Sequence, residues 1–304
     1  QDSPSVSKVP ASAARLSAMP MPTSLQFPRR QFIAGSTAAV AGVSGNQTSL
    51  AESLNDRFGG WPVGIQSYSL RSFNVDEAIR HMRGLGLHFV EFYRKHVPLD
   101  STTQQLAELS KKLDRANIKM SSHGVNRFTD DHESNRTVFE FAKRAGLKNI
   151  TANPQPNAFE SLYKLVAEFD IRICIHNHGP GSSYDKIDEV VAAIKDHDPR
   201  IGACVDTGHF IRSGENPVEA VKRLGNRVFA LHIKDEEKQE KKSRNVVIGS
   251  GFLDVSELFT TLKSVNFPTD GSISLEYEAN PQNPIDDIQQ CLTVAEEAIA
   301  KIKG

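Results

Sequence analysis

Four stretches decide the fold: IRICIHNHG (171–179), IGACVDTGHF (201–210), VFALHIKD (228–235) and SISLEYE (272–278). Each is a short apolar run that ends in a potential metal ligand, and each is followed by residues with helical period. Such runs read as strands buried on both faces, as in a parallel sheet covered by helices. In a closed barrel of alternating strands and helices, every strand carboxyl end opens on one face. His176, Asp206, His232 and Glu276 stand at four successive strand ends, so a barrel would gather them around one point. Residues two apart share a strand face. Counting back from the four gives Cys174, Cys204, Ala230 and Ser274, all small, as a barrel interior requires. Ile175, Val205, Leu231 and Leu275 would face the helices.

The alternation extends in both directions. Strands are expected at 62–68, 87–92, 117–122, 148–152, 171–176, 201–206, 227–232 and 271–276. Asn74 and Glu77 form a capping box for the first helix. Asn216-Pro217 supplies an N-cap and a proline at the first helical position. The third strand ends at His123, and a polar loop spans 235–244. These strand–helix units predict an α/β fold, a single-domain (β/α)₈ TIM barrel over residues 52–304. An open doubly wound sheet lacks the Gly-rich phosphate turn after its first strand.

Residues 1–51 read as a disordered extension. The first 28 are rich in Ser, Pro and Ala; Arg29-Arg30 then precedes a mildly apolar, small-residue stretch. That is the pattern of a twin-arginine export signal, with translation starting at Met19 or Met21 and cleavage near Ala51. The expected location is periplasmic or otherwise extracytoplasmic. The 36 basic and 37 acidic residues leave a net charge of −1, so nothing draws the chain to a nucleic-acid backbone. No apolar run is long enough to insert in a membrane. Three cysteines, Cys174, Cys204 and Cys291, fall in core elements and read as buried thiols. Association with copies of the chain is left open.

Two imidazoles and two carboxylates suit one divalent transition metal, Mn, Zn, Co or Fe. A metal with open positions polarises a carbonyl and the hydroxyl beside it, so the carbon between them becomes acidic and an enediolate can form. A small molecule with such a carbonyl and neighbouring hydroxyl is the expected partner. A second group must carry the proton. The candidates are His178, two residues past His176; Lys234, two past His232; and Glu276 itself. His209, Glu91 and His123 also stand at strand ends and are candidate substrate-binding residues.

Asp206-Thr-Gly-His209-Phe, His232-Ile-Lys234-Asp235, Ile248-Gly-Ser-Gly251-Phe-Leu-Asp254 and Leu275-Glu276 together resemble the xylose isomerase-like TIM-barrel superfamily, from about Gly64 to the C-terminus. That group includes sugar phosphate isomerases/epimerases, ketose 3-epimerases, inosose dehydratase and endonuclease IV. The resemblance implies a Glu, Asp, His, Glu metal set, which falls on His176, Asp206, His232 and Glu276 with an imidazole in place of the first glutamate. The missing glutamate disfavours two-carboxylate epimerisation and leaves one-base isomerisation or β-elimination easier. The resemblance therefore implies a metal-dependent sugar isomerase or epimerase, with a small-molecule carbohydrate as its partner. The alternatives are a lyase or hydratase of 3-keto-glycosides or inosose-like keto sugars, and a sugar-binding barrel without activity. An endonuclease is disfavoured because His176 replaces the bridging glutamate.

Overall fold

A computed structural model describes residues 57–303; the expected extension, twin arginine and cleavage site lie outside them. Eight parallel strands close into a barrel. In chain order they are β1 (Val63–Gln66), β2 (Phe89–Phe92), β3 (Lys119–Phe128), β4 (Asn149–Pro154), β5 (Arg172–His176), β6 (Ile201–Asp206), β7 (Val228–Ile233) and, after a two-stranded ribbon of β8 (Asp235–Glu236) and β9 (Asn245–Val246), β10 (Ser272–Leu275). Around the barrel, β1 pairs with both β2 and β10, β10 with β7, and the other neighbours follow chain order.

Helices follow the strands: α1 (Val75–Gly84), α2 (Thr103–Ala116), α3 (His132–Arg144), α4 (Phe159–Phe169), α5 (Ile187–Lys195), α6 (Thr207–Arg212), α7 (Pro217–Leu224), α8 (Val255–Ser264) and α9 (Ile285–Lys303). Local sequence sets their starts. Asn74 and Glu77 close the capping box of α1, Thr102 and Gln105 do the same for α2, and Asn216 caps α7 ahead of Pro217. None of the described helices is long and apolar enough to cross a membrane.

The strand parity holds. Ile175, Val205, Leu231 and Leu275 join the large apolar layer between strands and helices. Cys174, Cys204 and Ala230 form a separate small cluster with Phe229. The barrel interior is unusually polar: the Ser121 and Ser272 hydroxyls lie 2.8 Å apart, Ser272 and Ser274 3.2 Å, and Ser122 and Thr151 3.1 Å. Hydroxyls satisfy one another there, so small polar side chains fill the axis without unpaired donors. The three cysteines are free and buried.

Three expectations need correction. The third strand does not end at His123 but runs to Phe128, because a register irregularity after His123 lets β3 resume pairing with β4 at Asn126. The strand after β6 is preceded by an unforeseen short helix, α6, capped by Asp206 itself. The 235–244 loop is not simply polar and solvated: Asp235 and Glu236 are buried. The Asp235 carboxylate accepts backbone N–H bonds from Glu236, Gly249, Gly251, Phe252 and Leu253, which folds the returning loop onto β8.

At Gly64, β1 passes close against Phe89 of β2. A Cβ there would sit 2.2 Å from the Phe89 carbonyl oxygen and 2.7 Å from the Phe89 Cβ. Backbone on the neighbouring strand cannot retreat without opening the barrel. Gly64→Ala is expected to lower stability by about 2 kcal/mol or more, read from urea unfolding. An unchanged midpoint would show that the strands can part.

Candidate metal and substrate site

The four ligand candidates converge. One atom from each of His176, Asp206, His232 and Glu276 lies within 4.8 Å of all the others, and all four side chains are buried. His176 Nε2 is 3.0 Å from His232 Nδ1 and 3.3 Å from Asp206 Oδ2, while His232 Nδ1 is 3.1 Å from Glu276 Oε2. The residues around them explain the local motifs. Asn177 reaches from the end of β5 to β6: its side chain accepts from the Asp206 N–H and donates to the Asp206 carbonyl, at 2.8 and 2.9 Å. Thr207 accepts from the Lys234 N–H at 2.8 Å and donates to the Lys234 carbonyl, tying β6 to β7. Gly208 must lack a side chain because a Cβ would meet the Lys234 stem at 2.8 Å.

The donor set fits a metal. Asp206 Oδ1 accepts from the His209 N–H at 2.7 Å, but Oδ2, buried and facing the cluster, has no aligned hydrogen-bond donor. Its ion-pair partner is the Lys234 Nζ at 3.1 Å, and a divalent ion would add the aligned contact that this oxygen lacks. His232 is prepared for the same purpose. Its Nε2–H donates to Glu91 Oε2 at 3.0 Å, which leaves Nδ1 facing the other three ligands. A carboxylate behind a ligating imidazole fixes its tautomer and orientation.

Glu91 is therefore corrected from a mouth residue to a fully buried partner of His232, with Ser274 donating to the same oxygen at 3.1 Å. Burial alone would raise its carboxyl, but the His232 charge and three hydrogen bonds hold it below the usual range. His123 also departs from expectation. It is buried away from the cavity, its Nε2 donating to the Val97 carbonyl at 2.9 Å and its Nδ1 accepting from Asn126. Burial pushes its pKa down to about 4, so it is a neutral structural imidazole.

Above the cluster opens a cavity of about 280 Å³. Its walls include His176, His178, His209, Lys234 and Glu276, and also Gln66, Tyr68, Tyr93, Arg94 and Glu278, none of which the sequence reading singled out. Glu278 had a usable signal: it lies two residues past Glu276, the relation His178 bears to His176 and Lys234 to His232. Tyr68 sits in a short 3₁₀ turn, Ser67–Leu70, directly after β1, and Arg94 on the loop after β2, where no period points to them.

His178 packs edge to face on His176, ring centroids 4.6 Å apart, and stacks with His209 at 5.7 Å. Burial and the neighbouring His176 lower His178 to about 4; burial, with Lys234 nearby, lowers His209 to about 3. Both are neutral at neutral pH. Lys234 is the opposite case. Burial would lower it, but Asp206 at 3.1 Å, Glu276 at 2.9 Å and Glu278 at 2.5 Å hold it well above the usual lysine range. It keeps its proton. Lys234 and His232 in turn hold Glu276 below the ordinary carboxylate range against its burial.

A family model described as "Xylose isomerase-like TIM barrel" matches residues 79–296. An inosose dehydratase of Clostridium botulinum is 30% identical over 149 residues, covering 43% of this chain and 49% of that protein. The chain thus spans about half the length of the curated relatives it first matches. Among solved structures, the D-psicose 3-epimerase of Clostridium cellulolyticum superposes with a TM-score of 0.63 at 14% identity, covering 78% of this chain and 99% of that one. The IolI protein with a bound zinc atom gives 0.65 at 17% identity, covering 79% and 98%. These two likenesses establish the fold.

Glu91→Gln keeps the volume but removes the acceptor charge behind His232. It is expected to weaken divalent-metal affinity by about 10–100-fold, measured by chelator competition, with unchanged far-UV dichroism. Affinity equal to that of the unsubstituted protein would mean that Glu91 does not orient the ligand.

Proposed function

The chain belongs to the xylose isomerase-like TIM-barrel family, and from that footing we propose that it is a metal-dependent isomerase or epimerase of a keto or aldo sugar. The observation that carries this reading is the buried cluster of His176, Asp206, His232 and Glu276 at the base of an open, polar cavity. These four side chains would hold one divalent transition metal, Mn, Zn, Co or Fe, with zinc supported by the IolI likeness. When bound, it supplies Lewis acidity toward a sugar carbonyl and its neighbouring hydroxyl.

This chain's own residues then divide the work. His178 lines the cavity outside the ligand cluster, and we assign it the proton abstracted from the carbon beside the carbonyl. His178 returns the proton to the neighbouring carbon in isomerisation; in epimerisation Glu276 would have to deliver a proton to the same carbon from the other face, and the enediolate would take it there. Lys234, held protonated, offsets the negative charge that grows on the substrate oxygen. His209 donates to or accepts from sugar hydroxyls. Glu276 is the alternative base. The likeness to inosose dehydratase favours a second outcome of the same first step, loss of a β-hydroxyl as water.

The test is proton exchange. Metal-loaded protein in deuterated water is expected to place deuterium on the carbon beside the carbonyl of a keto sugar, and Asp206→Ala to lose both metal and exchange. His178→Gln is expected to slow exchange at least 100-fold with metal content retained. Equal rates in His178→Gln, with loss in Glu276→Gln, would move the role to Glu276. Product analysis separates the outcomes: a new sugar of equal mass supports isomerisation or epimerisation, a product lighter by one water the dehydratase reading. Bound metal without exchange on any sugar would reduce the site to sugar binding.

Export by the Tat route is part of the proposal and rests on Arg29-Arg30. A reporter fused behind residues 1–51 is expected outside the cytoplasm. Replacing both arginines by lysine should retain it inside, and export of that variant would remove the signal from the reading.

A further inference from the structure

Proton transfer uses the side of the cavity formed by β5, β6, β7 and β10. The opposite wall comes from the segments after β1 and β2 and presents Tyr68, Tyr93 and Arg94. Tyr68 and Tyr93 stand edge to face, with ring centroids 5.5 Å apart and planes at 82°. Tyr68 is 38% exposed, one of two large apolar side chains so exposed among the described residues. Arg71 backs it, with its guanidinium 4.6 Å from the ring centroid and Nη2 donating to the Glu278 carbonyl at 2.6 Å. Arg71 is thus engaged in holding the wall together.

Arg94 has no such task. It is exposed, lines the cavity, and makes no ion pair or hydrogen bond with the described residues. Nor is it needed as a counter-ion. Lys234 serves Asp206, Glu276 and Glu278, and His232 serves Glu91 and Glu276. Every carboxylate of the site has a cationic neighbour without it. A guanidinium is a planar fork that pairs bidentately with carboxylate or phosphate oxygens. The two tyrosines beside it offer an apolar ring face and a hydroxyl, which suit the carbon skeleton of a sugar.

We infer that Arg94, flanked by Tyr68 and Tyr93, is a subsite for an anionic group, a carboxylate or a phosphate, carried by the sugar at the end remote from its carbonyl. The subsite rests on the sugar reading of the ligand cluster, because it lies across the cavity from those groups. It narrows the substrate class from sugars in general to acidic sugars.

Metal-loaded protein is offered D-fructose, D-fructuronate and D-fructose 6-phosphate in deuterated water, and both calorimetric affinity and deuterium incorporation are recorded. At least one anionic ketose is expected to bind tenfold or more tightly than fructose, with a preference that shrinks as salt is raised. Preference for fructuronate identifies a carboxylate subsite, and preference for fructose 6-phosphate a phosphate subsite. Arg94→Gln should reduce the preference to about twofold or less and leave fructose affinity unchanged, while Arg94→Lys should keep part of it. Equal affinities for the three sugars, or an equal loss for all three in Arg94→Gln, would overturn the subsite. If fructose still takes up deuterium in that case, the sugar reading stands. Neither binding nor deuterium uptake with any of the three would overturn both.

Discussion

The constraint on which the rest depends is the burial of acidic charge at the barrel mouth. Glu91 and Asp206 are fully buried and Glu276 nearly so. An isolated ionised carboxylate in such a place costs far more than one domain's stability can spare. The chain meets this with two cationic side chains, Lys234 and His232, each placed among several carboxylates. The motif residues follow from that arrangement. Gly208 is bare so that the Lys234 stem can pass, Thr207 fixes the Lys234 backbone, and Asn177 fixes that of Asp206. The site is thus a network of compensated charges, and a divalent ion would bring further positive charge to the same carboxylates.

The same constraint shapes the barrel axis. TIM barrels usually fill their interior with large branched side chains. Here the space beneath the ligands holds Ser121, Ser272, Ser274, Ser122, Thr151, Cys174 and Cys204. Ser274 donates to Glu91, so the polar interior reaches up into the site as a support for the imidazole of His232. Ligands on strands, held by a hydrogen-bonded layer below them, stay put more reliably than ligands on loops. The loops carry the cavity walls instead, and Asp235 stiffens one of them with five backbone N–H bonds.

A fold does not name a reaction, and this family's barrel carries several. Dehydration, isomerisation and epimerisation share one opening step, removal of a proton beside a carbonyl. They differ in where that proton, or a hydroxyl, goes next. The imidazole of His176 changes the balance, because with Nε2 facing the other ligands it has no carboxylate oxygen to lend to proton transfer. In the proposed reaction that leaves the proton to His178 above the cluster or to Glu276 within it.

How much of this was legible in the chain can be judged residue by residue. The repeating strand–helix period and the small residues two positions below each strand-end ligand were sufficient for the barrel and for the convergence of His176, Asp206, His232 and Glu276. Both rest on local periodicity, and a closed parallel barrel leaves strand ends only one face on which to meet. Depth was not legible. Glu91 and His123 occupy strand ends like the others, yet Glu91 lies beneath the cavity, where it serves His232, and His123 takes the other strand face, against Phe141 of α3 and the Val97 carbonyl. Nor was protonation: Lys234 looked like a base until three carboxylates from β6 and the segment after β10 were seen around its ammonium. The wall of Tyr68, Tyr93 and Arg94 was invisible for the same reason. Sequence period reports which face of its own element a side chain takes, whereas depth, charge state and neighbours across the barrel depend on residues of other elements, 26 positions away for His123 and 141 for Glu91, and only the closed structure brings those together.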